Sequence, residues 1–122
     1  MAASILAVDD SPSMRQMVSF TLQSAGYDVV MANDGVEALK IAEESPDVNL
    51  VLTDVNMPNM DGITLVKHLR GLEDYRFKPI LILTTESSME KKMMGKEAGA
   101  TGWIVKPFDP EQLLNTLRRV LD

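Results

Sequence analysis

Ile5-Leu6-Ala7-Val8-Asp9-Asp10-Ser11-Pro12 is the stretch on which the reading of this fold turns. Its first four residues form an unbroken apolar run, the pattern of a strand covered on both faces. The run stops on two adjacent acids. Ser11 then offers an N-cap hydroxyl, and Pro12 suits the first helical position, where a missing N–H costs nothing. The stretch predicts a strand that passes directly into a helix, with charge at the junction.

The same alternation continues along the chain. Further apolar runs fall at Val29–Ala32, Leu50–Thr53, Ile80–Leu83 and Trp103–Val105. Helical spacing lies between them. Met14, Met17, Val18, Thr21, Leu22 and Ala25 recur at intervals of three and four, as do Leu113, Leu114, Leu117, Val120 and Leu121. Asp109-Pro110 repeats the Ser11-Pro12 device. Asp34 with Glu37, and Ser87 with Glu90, have capping-box spacing. Gly26 and Gly99 follow helix ends, where a left-handed residue is needed. Five strands alternating with five helices predict an α/β domain with a doubly wound parallel sheet. Of the common topologies we expect the flavodoxin-like (βα)5 order 2-1-3-4-5, whose crevice lies beyond the carboxyl ends of strands 1 and 3.

Bulk properties narrow the function. The 122 residues suffice for one domain, and residues 1–122 are read as a single unit with no output domain. A formal net charge of -6 argues against a general nucleic-acid binder. The absence of cysteine removes disulfides and thiolate metal sites. No apolar stretch is long enough for membrane insertion, and no secretory signal opens the chain, so a cytoplasmic location is expected. The nine methionines are read as core filler and His68 as a solvated helix residue.

The strand ends carry the chemistry. Asp9 and Asp10 follow the first apolar run, Asp54 the third and Lys106 the fifth. On one sheet edge these groups converge. Clustered carboxylates repel unless a cation intervenes, and an all-oxygen site suits Mg²⁺. A carboxylate can also attack phosphorus, with a lysine neutralising the charge that arrives. A hydroxyl from Thr84 or Thr85 would complete such a cradle.

Four blocks, VDDSPSMR, LTDVNMPNMDG, ILILTTE and GATGWIVKPF, then carry a family resemblance running from about Ile5 to Leu121. The chain resembles the receiver domain of two-component response regulators, most closely the single-domain chemotaxis members. The resemblance implies that Asp54 accepts a phosphoryl group from a histidine kinase. It implies Mg²⁺ held by Asp10, Asp54 and the Asn56 backbone carbonyl, with Asp9 acting mostly through water. Lys106 would pair with the phosphoryl oxygens and precede a cis proline. Thr84 would be the switch hydroxyl, and Thr85 would donate its backbone N–H. Asn56 and Glu86 stand where receivers tune phosphoryl loss, and their types match a short-lived signal. Trp103 stands where such regulators usually carry Tyr or Phe, a ring that turns inward when the threonine moves.

What the family implies is a phosphorylation switch rather than a turnover enzyme. Its output face would be helix 4, strand 5 and helix 5, with Lys91, Lys92, Lys96 and Trp103. The implied partners are a chemotaxis histidine kinase, the flagellar motor switch and a phosphatase. A stand-alone phosphorelay intermediate is the alternative within this reading. A haloacid-dehalogenase-type phosphatase is disfavoured, because the adjacent acids Asp9 and Asp10 lack that family's DxDxT spacing. A degenerate scaffold is disfavoured because no site residue is missing.

Overall fold

The structure, a computed structural model, describes residues 2–121; Met1 and Asp122 lie outside the described residues. Strands β1 (Ser4–Val8), β2 (Asp28–Ala32), β3 (Leu50–Thr53), β4 (Ile80–Thr84) and β5 (Gly102–Val105) alternate with helices α1 (Pro12–Ser24), α2 (Gly35–Glu44), α3 (Gly62–Arg70), α4 (Met89–Ala98) and α5 (Pro110–Leu121). A single 3₁₀ turn, Glu73–Tyr75, leads into β4. All strand pairs are parallel and the order is β2-β1-β3-β4-β5, as expected.

Successive strand residues point to opposite faces, so an unbroken apolar run feeds two cores. Leu6, Val8, Val51, Ile80 and Ile82 pack against Ala38 and Ala42 of α2 and Ile63, Val66 and Leu69 of α3. Ile5, Ala7, Leu50, Leu52, Leu81 and Leu83 pack against Val18 and Leu22 of α1 and Leu113 and Leu117 of α5. β2 is an edge strand, and despite its unbroken apolar run Val30 and Met31 are exposed.

The caps follow the sequence with one correction. Ser11 accepts from the Met14 N–H and Asp34 from Glu37; Asp61, not singled out in the sequence, accepts from Thr64. Asp109 accepts from the Glu111 N–H. Gly26 and Gly99 have φ of 93° and 110°. Ser88, and not Ser87, caps α4 by accepting from the Lys91 N–H. Adjacent serines offer the same hydroxyl, and the chain direction selects between them.

The methionine reading needs a larger correction. Met14, Met57 and Met60 pack against the core. Met17, Met31, Met89, Met93 and Met94 are exposed. Met17 sits about 100° around the helix from buried Val18, outside the buried stripe. α4 buries only Gly95, so most of its side chains face outward.

Tyr75 gives a pH prediction. Its ring is buried and its hydroxyl donates to the Ser45 carbonyl at 2.6 Å. Burial, with Asp47 and Asp74 nearby, pushes its pKa up to about 12. The unfolded phenol ionises near its ordinary value of 10.0, while the folded one keeps its proton. The stability this group contributes is full below pH 10 and is lost as pH rises to about 12. Urea denaturation of Tyr75→Phe should show a loss of about 1 kcal/mol at neutral pH from the missing hydrogen bond. The alkaline fall in stability should be shallower than in the parent.

Candidate functional site

Strand register builds the site. Val8 pairs with Thr53, so the next residues, Asp9 and Asp54, leave the sheet side by side. Thr84 pairs with Val105, so Lys106 emerges beside the end of β4. The Lys106 ammonium donates to Asp9 Oδ2 at 2.6 Å and to Asp54 Oδ2 at 3.0 Å. All three side chains are largely withdrawn from solvent, at 8–11% exposure. Burial disfavours the ammonium charge, but the hydrogen bonds to Asp9 and then Asp54 outweigh it and raise the Lys106 pKa above its usual 10.5.

Backbone donors fix the remaining carboxylate oxygens. Asp54 Oδ1 accepts from the Val55 N–H at 2.6 Å, and Asp9 Oδ1 accepts from the Ser11 N–H at 2.9 Å. The Lys106-Pro107 peptide bond is cis. Asp10 is exposed at the mouth. One carboxylate oxygen from each of Asp9, Asp10 and Asp54 lies within 4.8 Å of the others. This donor set fits a hard divalent cation such as Mg²⁺: oxygen ligands from few carboxylates, with room left for water.

Thr84 is buried at the end of β4, and its hydroxyl oxygen accepts from the Glu86 N–H at 3.2 Å. Thr85 is exposed, as is Asn56, while Glu86 is half-buried. Trp103 is half-buried and its indole N–H donates to the Glu86 carbonyl at 3.0 Å. Lys92, Lys96 and Trp103 line a groove between α4 and β5, and Lys91 lies half-buried on α4. His68 is exposed on α3.

Three residues at or beside this site were given no role in the sequence reading. Arg15 donates to the Asp9 carbonyl at 2.7 Å and holds the acidic turn from α1. Gly62 lies so close to the strand end that a Cβ there would stand 1.9 Å from the Asp54 carbonyl oxygen. A Cβ on Gly95 would stand 2.8 Å from Trp103 Cζ3. Arg15 closes the block VDDSPSMR and Gly62 closes LTDVNMPNMDG, which were the available signs for them; Gly95 had none.

Comparison with known proteins agrees with this geometry. The family model described as response regulator receiver domain matches residues 5–118. A chemotaxis protein CheY homolog of Campylobacter jejuni is 41% identical over 118 residues, covering 96% of this chain and 91% of the relative. Chemotaxis protein CheY1 of Helicobacter pylori is 42% identical over 120 residues, covering 96% and 95%. The structure of Vibrio cholerae chemotaxis protein CheY4 superposes with a TM-score of 0.93 at 57% identity, covering 98% of this chain and 99% of that one.

Proposed function

The chain belongs to the response regulator receiver family, and from that premise we propose that it is a chemotaxis phosphorylation switch with Asp54 as phosphoacceptor. The observation that carries the reading is the Lys106 ammonium shared between Asp9 and Asp54 in a pocket beneath exposed Asp10. An Asp54 oxygen attacks the phosphorus of a phosphohistidine on a histidine kinase. The P–O bond forms as the P–N bond breaks, and the ring leaves as neutral imidazole, keeping the proton already on its other nitrogen. Lys106 pairs with the incoming phosphoryl oxygens. Thr84 already accepts from Glu86, so its own hydrogen is free to donate to them. Asp10, Asp54 and the Asn56 carbonyl would hold Mg²⁺, with Asp9 acting mostly through water, and the bound ion would supply charge neutralisation beyond what Lys106 alone can give.

Asp54 is consumed and regenerated by the protein's own pocket, with Asn56 and Glu86 setting how fast water removes the phosphoryl group. The added charge biases the face formed by α4, β5 and α5, where Lys91, Lys92, Lys96 and Trp103 meet a cytoplasmic partner such as the flagellar motor switch. Incubation with Mg²⁺ and acetyl phosphate, followed by intact mass spectrometry, tests the chemistry. One phosphoryl group should appear on the parent and none on Asp54→Asn. An unmodified parent sinks the proposal. Phosphorylation-dependent capture of a motor-switch protein supports the output. Capture of a histidine phosphotransfer domain instead would place the chain in a phosphorelay.

The metal reading has its own measurement. Asp10→Asn removes an exposed ligand without touching the Lys106 bonds. Calorimetric Mg²⁺ titration should show affinity weakened by at least about tenfold, with thermal stability in chelator nearly unchanged.

A further inference from the structure

We infer that Trp103 is a positioning residue, a fixed prop under the Thr84–Glu86 segment and not a ring that swings with phosphorylation. The inference rests on the phosphorylation reading above and adds to it. The indole is pinned at two edges. Its N–H donates to the Glu86 carbonyl at 3.0 Å. Its benzo edge lies against Gly95, where even a methyl group would come within 2.8 Å of Cζ3. The ring also packs against the core cluster that contains Ile82, the residue paired with it in the sheet.

Rotation about the side-chain bonds would break the N–H bond and empty the notch above Gly95 together. A phenol or phenyl ring on the same strand lacks this donor and is smaller, so the double hold belongs to tryptophan. Glu86 connects the prop to the pocket. Its carbonyl accepts from Trp103, and its N–H donates to the Thr84 hydroxyl oxygen at 3.2 Å. Trp103 therefore acts on the phosphoryl cradle through Glu86 and touches no reacting atom.

Trp103 is the single tryptophan of the chain, so fluorescence reads this ring alone. Emission maximum and acrylamide quenching would be recorded with Mg²⁺, before and after beryllofluoride. Both should stay unchanged within error while amide spectra report binding of the mimic. A shift in either, as from a ring that changes its exposure, overturns the inference. Trp103→Phe keeps a ring and loses the N–H. Its maximal rate of Asp54 phosphorylation by acetyl phosphate should fall about three- to tenfold, the range one neutral hydrogen bond carries, with Mg²⁺ affinity unchanged. Gly95→Ala displaces the indole and should show the same slowing with raised quenching.

A parent rate in both variants overturns the inference alone. No Asp54-dependent adduct in the parent overturns the phosphorylation reading and this one with it. Melting temperatures measured beside the rates separate the prop from simple loss of folding, since a variant folded at the assay temperature must still be slow.

Discussion

Gly62→Ala is expected to lose about 4 kcal/mol of stability, at the severe end for a single methyl group. The added Cβ would sit 1.9 Å from the carbonyl oxygen of Asp54 and 2.8 Å from its carbonyl carbon. Both are backbone atoms at the end of a fully buried strand, so no side-chain rotation can relieve the contact. Gly62 also donates its N–H to the Val55 carbonyl at 2.8 Å, which fixes the start of α3 against the same turn. Chemical denaturation measures the loss. Any folded fraction should accept phosphoryl groups slowly, because relief requires the Asp54 peptide to move. A variant with parental stability would show that the turn yields easily and that the approach is not the reason for glycine.

Lys106→Met should remove about 3 kcal/mol in the absence of divalent cation, in keeping with stripping one partner from a buried ion pair. Asp9 Oδ2 and Asp54 Oδ2 both rest on the ammonium, and among the described residues neither oxygen accepts from another donor. Methionine matches the aliphatic stem, so the comparison isolates charge. Mg²⁺ should raise the variant's melting temperature by more than the parent's. In the parent a divalent ion competes with an ammonium already seated between the carboxylates, whereas in the variant it meets uncompensated repulsion. Phosphorylation should fall sharply even at saturating Mg²⁺. Equal Mg²⁺ shifts in the two proteins would show that Lys106 does not balance this pocket.

Much of the fold was legible because parallel strands buried on both faces read as continuous apolar runs, and β1, β3 and β4 are such runs. In the edge strand β2 the run Val29–Ala32 is as apolar, yet Val30 and Met31 are exposed because one side of the strand meets no neighbour. Convergence of Asp9, Asp54 and Lys106 could be read because every strand of a parallel sheet ends on one edge. Other features leave no mark in the sequence. Arg15 bonds to a carbonyl, and so does Arg70, which reaches the carbonyls of Gly99, Tyr75 and Lys78 at 2.6–2.9 Å. Every residue has a carbonyl, so composition cannot name such partners. The exposed methionines of α4 misled for a related reason. An apolar residue on a helix says that burial would be favourable, and only packing shows whether a surface is there to receive it.

The Lys106–Asp9 bond joins residues 97 positions apart. Loops of that length close late, after local helices and neighbouring strands have formed. During synthesis, which runs from the N-terminus, Asp9, Asp10 and Asp54 all emerge before the cation that balances two of them. The nascent chain therefore carries its acids unmatched until β5 docks against β4. Lys106 follows β5 directly, so a chain stalled short of that strand lacks both one edge of the sheet and the cation of the pocket.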